Sequence, residues 1–159
     1  MDDFVFGLKV ITALGCGLIA GAFFAFSVFI MRALAALPAP GGIAAMQSIN
    51  VVVLNPVFLG VFVGSAVLCA AAMIASLLRW QGAGSMWVLG GAILYLAGCF
   101  AVTMVFNVPL NDALAKANPA APESADLWNS YLKTWTMWNH VRTLASLAAS
   151  AAFIIASRY

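Results

Sequence analysis

Apolar residues dominate four long stretches of the chain, and most polar residues fall between or at the ends of them. No charge occurs between Lys9 and Arg32, and none between Arg32 and Arg79. The first charge-free stretch suffices for one bilayer crossing at roughly 20 residues. The second is too long for one helix and is broken twice. Pro38, Pro40, Gly41 and Gly42 break it early, and Asn55-Pro56 breaks it again, because a residue before proline avoids the helical region. This leaves a short helix over Ile43–Leu54 and then a second span. The third span enters from the turn Gln81–Ser85, and Asn107-Val108-Pro109-Leu110-Asn111 ends it, proline removing a backbone donor. The predicted spans cover about residues 8–31, 57–78, 86–106 and 134–157. The expectation is an all-α fold: a four-helix transmembrane bundle with a short extra helix between spans 1 and 2. There is no internal repeat and no linker, so residues 1–159 read as one integral membrane domain.

Composition agrees. Hydrophobic residues make up 65% of the chain and charged residues 8%, with a mean hydropathy of +1.05. A soluble domain has roughly 25% charged residues, so this chain lacks the polar surface that water demands. The expected partner is the lipid bilayer. A net charge of +2 is too small for a nucleic-acid partner. Cys16, Cys69 and Cys99 lie in apolar runs without ligand-like spacing, so neither a disulfide framework nor a metal site is predicted. Asp2 and Asp3 occupy the place of a basic signal-peptide start, although Ala33-Leu34-Ala35 resembles a cleavage box.

Small residues recur at helical spacing: Ala13, Gly17, Gly21 and Ala25 in the first span, Gly60 and Gly64 in the second, Gly90/Gly91 and Gly98 in the third. Their expected role is close helix packing. With four alternating spans, Lys9, Arg79 and Arg158 fall on the side of the termini, as interfacial anchors. The opposite side receives Arg32, Gln47, Asn50, Asn55, Asn107, Asn111, Trp128, Trp135, Trp138, Asn139, His140 and Arg142. Amides in hydrocarbon need partners, since each unsatisfied group costs several kcal/mol. Five asparagines at one end fit a shared hydrogen-bonded cavity, or else an interface lined with polar caps.

The fourth span carries the most information. At about 100° per residue, Met137, Val141, Leu144, Ala145, Ala148, Ala152 and Ile155 share an apolar face suited to lipid. Thr136, Asn139, Thr143, Ser146 and Ser150 share the other, with His140 and Arg142 on its two shoulders. An ionisable residue inside a span is costly and marks a candidate site. Arg142 is either such a site or an arginine snorkelling to the surface, and a lone histidine is often a packed core residue. Trp128, Tyr131, Trp135 and Trp138 climb the Arg142 side as a stripe. An interfacial belt suits Trp128 best and Trp138 least.

The segments Phe23-Phe24-Ala25-Phe26-Ser27, Met46-Gln47-Ser48-Ile49-Asn50, Asn107-Val108-Pro109-Leu110-Asn111 and Trp135-Thr136-Met137-Trp138-Asn139-His140-Val141-Arg142-Thr143 resemble the anthrone-oxygenase-like family of small four-span membrane proteins. The resemblance covers essentially the whole chain. Some fungal members act in polyketide biosynthesis, and many bacterial members have no assigned function. It implies oxidation of an anthrone, or a similar lipophilic hydroxyaromatic, to a quinone by O2 without a bound cofactor. A base removes a proton from the activated ring carbon, and cationic or amide donors hold the enolate. His140 is then the candidate base, and Arg142 and Asn139 the anion stabilisers. Asn50, Asn107, Asn111, Trp135 and Trp138 are candidate substrate-binding residues. His140 and Arg142 sit about 160° apart on an ideal helix, so only a wide groove centred on Asn139 sees both.

The alternatives belong to other classes. One histidine and scattered cysteines give no ordinary haem ligand pair. A membrane binding or transport protein would use the same cavity to hold a small lipophilic molecule without catalysis, and four short spans would favour a homo-oligomer. Three basic residues flank the terminal side and, with Lys133 and Arg142 set aside beside the candidate site, two, Arg32 and Lys116, flank the other. That count favours cytoplasmic termini, in a bacterial inner membrane.

Overall fold

The computed structural model describes residues 3–159, and every regular element among them is helical. Asp2 lies outside the described residues. Among the described residues there are five helices: α1 (Asp3–Ala35), α2 (Ala39–Val52), α3 (Pro56–Leu78), α4 (Ala83–Ala115) and α5 (Ser124–Ala156). Two of them widen locally to π-type winding, α1 at Phe26–Ile30 and α4 at Leu94–Ala101 and Thr103–Asn107.

Helices α1, α3 and α4 are long and apolar enough to cross a membrane. Their outward side chains, among them Leu14, Leu18, Val67, Ile74 and Val105, are exposed and apolar, as a lipid-facing surface requires. Helix α5 matches α1 in length at 33 residues but is less apolar. The reason is its inner face, where Asn139, Arg142, Thr143, Ser146 and Ser150 are all buried.

Two prolines open helices, but α2 starts at Ala39 and takes in Pro40, Gly41 and Gly42 where a start at Ile43 is predicted, and α5 starts at Ser124, ten residues before the predicted span. Pro40 stands in the first turn of α2 and Pro56 in that of α3, where a missing N–H costs nothing. Asn55 caps α3, its Oδ1 accepting from the N–H groups of Val57 and Phe58 at 3.1 and 3.0 Å. Pro109 behaves differently. The helix runs through it to Ala115, and the π-type turn Thr103–Asn107 immediately before it takes up the misfit.

Round the molecule the long helices follow the order α1, α3, α4, α5, with α5 packed most extensively on α1 and α4. Small residues set the closest approaches. A Cβ on Gly98 would lie 2.6 Å from the Ala145 Cβ, and one on Gly91 would lie 3.1 Å from the Ala152 Cβ. Ala145 and Ala152 are therefore buried against α4, not turned to lipid as the helical wheel places them. Gly21, Gly60, Gly64 and Gly90 meet nothing within 4 Å, so not every small residue is a packing residue within this chain.

The core has two parts. One, centred on Ile19, Phe62, Val88, Tyr95 and Phe153, includes all three cysteines, and the thiols of Cys16 and Cys69 stand 3.8 Å apart. The other joins Met31, Leu34, Ile43, Met46 and Leu114 to Trp128, Tyr131 and Trp135. It clamps α2 onto the far end of α5. Trp128 is only 2% exposed there and stacks on Tyr131, so it is a core residue and not part of an interfacial belt. Its indole leaves no room for a Cβ on Gly42, which would meet Trp128 and the Leu34 carbonyl at 2.9 Å.

Lys9 is also not a surface anchor. It is 5% exposed, and its Nζ donates to the Ala156 carbonyl at 3.0 Å. A cation there adds a second donor to a carbonyl that also accepts from the Tyr159 N–H at 3.3 Å, and it opposes the partial negative charge at the C-terminus of α5.

Candidate functional site

The site grows from one turn of α5. Asn139 and Arg142 lie three residues apart, on the same helix face. Both are buried, Asn139 at 0% and Arg142 at 3% exposure. Asn139 is held from α1: its Nδ2 donates to the Phe23 carbonyl at 2.8 Å and to Ser27 Oγ at 2.7 Å. Ser27 also shares a 3.0 Å hydrogen bond with Thr143. The amide is thereby oriented with its Oδ1 toward Arg142, whose Nη2 donates to it at 2.7 Å.

The guanidinium has further neighbours. Its Nη1 donates to Thr103 Oγ1 on α4 at 3.2 Å. Its carbon lies 4.1 Å from the Phe23 ring centre and 5.0 Å from that of Trp135, so two aromatic rings sit against a desolvated cation. Each such contact is worth about 2 kcal/mol when water is excluded. No carboxylate forms an ion pair with Arg142 among the described residues. Its positive charge is held by dipoles and rings alone, which leaves it available to an anion.

A second layer lies toward α2. Asn111 Oδ1 accepts from the Tyr131 hydroxyl and from Trp135 Nε1, both at 2.8 Å. Asn107 Nδ2 donates to the Trp135 carbonyl at 3.2 Å. Asn50 lies beside the Tyr131 hydroxyl.

Three buried polar atoms in this network lack a protein partner: Arg142 Nε, Asn107 Oδ1 and Asn50 Nδ2. Two are donors and one is an acceptor. They sit on α5, α4 and α2, the elements joined through Tyr131, Trp135 and Asn111.

The structure thus brings together Asn50, Asn107, Asn111, Trp135, Asn139 and Arg142 at one end of the molecule. It does not bring in the rest. His140 is exposed, because the turn that buries Asn139 and Arg142 carries its neighbour outward. Trp138 is half-buried and stacks face to face on Phe106 at 3.8 Å. Gln47 pins α2 to the end of α4 through the carbonyls of Leu114 and Ala117, and Asn55 is an exposed helix cap. Arg32 is exposed.

Sequence spacing misses Thr103 as the Arg142 acceptor and Ser27 as the Asn139 acceptor. Both lie in or at the edge of π-type turns, which recur at functional sites but have no sequence signature here. Among the described residues, no group of three or more His, Cys, Asp or Glu side chains is placed to hold a metal. Two open clefts lie elsewhere, one along α1 and α5 and one at the Lys9 end.

A model of the anthrone oxygenase family matches residues 58–152, which covers α4, nearly all of α3 and most of α5 with the Asn107, Asn139 and Arg142 positions. No curated protein and no solved structure matches the chain. Since the match spans more than half of the chain, the protein belongs to the anthrone oxygenase family.

Proposed function

We propose that the protein is a four-span membrane oxygenase that oxidises a lipophilic hydroxyaromatic of the anthrone class with O2, Arg142 holding the substrate oxygen. The fourth span in this reading is α5, its polar face turned inward and its outer face, with Met137, Leu144 and Leu147, turned to lipid. The observation that carries the reading is the set of unpartnered atoms around a buried, carboxylate-free arginine. An enolate oxygen would satisfy Arg142 Nε, and a phenolic hydroxyl would donate to Asn107 Oδ1. A donor and an acceptor on one flat molecule match that arrangement.

The chemistry then asks little of the protein. Loss of a proton from the activated ring carbon gives an enolate, which the guanidinium stabilises as charge develops on oxygen. The anion reduces O2, a carbon–oxygen bond forms, and the resulting hydroperoxide loses water to leave a second carbonyl. One oxygen atom ends in the quinone and the other in water, so no added reductant is needed. In this scheme the proton goes to water or is lost through the substrate's own acidity, since His140 is outside the cluster. Arg142 is the catalytic residue, and Asn139, whose amide is fully committed to Phe23, Ser27 and Arg142, positions it. Asn50, Asn107, Asn111 and Trp135 bind the substrate.

Oxygen uptake by the purified protein, stripped of metal and given an anthrone, tests this. Uptake stoichiometric with quinone supports the proposal. Binding without turnover would make the protein a carrier of such molecules.

A further inference from the structure

A cleft of about 630 Å3 opens at the Lys9 end of the molecule. Along α5, Arg142 and Ala156 are 14 residues apart, which at 1.5 Å per residue puts the two ends about 21 Å from each other. The cleft is bounded by the start of α1, the end of α3, the start of α4 and Tyr159, which follows α5. Its walls include Val5, Leu8, Ala72 and Val88, and its polar lining includes Lys9 and Arg79.

The two cations differ in kind. Arg79 caps the C-terminus of α3 and is exposed. Lys9 is buried, and only one of its three N–H donors is used, by the Ala156 carbonyl. No carboxylate forms an ion pair with Lys9 among the described residues, and Asp3 is exposed. Burying a charge without a counter-charge is costly, and one carbonyl offsets only part of that cost. The cleft therefore combines two positive charges with an apolar wall, at the end of three membrane-type helices.

We propose that this cleft is a binding site for an anionic lipid. The headgroup phosphate lies against Lys9 and Arg79, and an acyl chain runs along Leu8, Ala72 and Val88. A free phosphate would leave the apolar wall wet. A zwitterionic lipid would bring its own cation toward two that are already there. This site is separate from the Arg142 cluster and stands whatever that cluster binds.

Native mass spectrometry tests it on the full chain released from mixed vesicles of phosphatidylcholine and phosphatidylglycerol. The wild type is expected to retain one phosphatidylglycerol per chain. Arg79→Gln, at an exposed position, is expected to lower that occupancy about fivefold, the scale of one basic residue at a membrane surface. Lys9→Met should do the same, and Arg158→Gln, outside the cleft, should not. Retention of phosphatidylcholine to the same extent would overturn the proposal. So would unchanged occupancy in Arg79→Gln, an equal loss in Arg158→Gln, or equal thermal stabilisation by inorganic phosphate alone.

Discussion

Arg142 and Asn139 hold each other one turn apart on α5, the guanidinium Nη2 donating to the amide Oδ1 at 2.7 Å. The amide can offer that oxygen because its nitrogen is already committed to Phe23 and Ser27 on α1. Asn139 is thus both a joint between two helices and the support of a cation. Asn139→Ala removes three hydrogen bonds and leaves one guanidinium nitrogen unpaired in a dry interior. The expected loss is about 3 kcal/mol of stability, at 1–3 kcal/mol per stranded buried group. Denaturation in detergent measures it, and a loss under 1 kcal/mol would mean that water replaces the amide.

Arg142→Lys separates charge from shape. Lysine keeps the positive charge but cannot reach Asn139, Thr103 and a ligand in a fixed fork. Oxygen uptake with an anthrone is expected to fall about a hundredfold, in the range seen when one oxyanion donor is lost. Arg79→Lys, more than a helix turn from any cluster residue, should leave uptake unchanged. Equal rates in all three proteins would remove Arg142 from the mechanism.

Close packing between α4 and α5 gives a contrast between two glycines. At Gly98 an added methyl would sit 2.6 Å from the Ala145 Cβ, which has no rotamer by which to move away. Gly98→Ala should destabilise the protein by about 1–3 kcal/mol through forced separation of the two helices. At Gly60 nothing lies within 4 Å, so Gly60→Ala should be neutral or stabilising, as alanine is the better helix former. Thermal unfolding of the pair in one detergent reads the difference directly.

The helices were legible because length, charge gaps and proline positions act locally. Asn55 and Pro56 open α3 by capping and ring geometry, which sequence alone can show. The convergence of Asn50, Asn107, Asn139 and Arg142 was legible for a similar reason: alternating helices return polar residues to the same end. Other features depend on neighbours in space. Lys9 looks like an anchor until the C-terminus of α5 arrives beside it. Ala145 and Ala152 look lipid-facing until Gly98 and Gly91 bring α4 within reach. Trp128 suits a belt until Gly42 lets α2 pack over its ring. The π-type winding near Ser27 and Thr103 shifts side chains relative to a regular wheel, so their roles could not be read from a 100° step.

The same geometry decides the role of His140. Histidine has the unperturbed pKa, about 6.5, that suits proton abstraction near neutral pH, which is why the residue attracts a catalytic assignment. A general base, however, must come within hydrogen-bond reach of the proton it takes. Arg142 and Asn139 are buried against α1 and α4, and the roughly 160° between residues two apart on a helix then turns His140 outward. An exposed imidazole on the outer face cannot touch a ligand held at Arg142 Nε. His140→Ala should therefore keep kcat/KM for an anthrone within about twofold of the wild type, where a true general base contributes at least a hundredfold. The shape of the pH profile should also stay the same, because the proton leaves to water or through the substrate's own acidity. A loss of a hundredfold or more, with disappearance of a titration near neutral pH, would show that the helix rotates in the working enzyme and that His140 is the base after all.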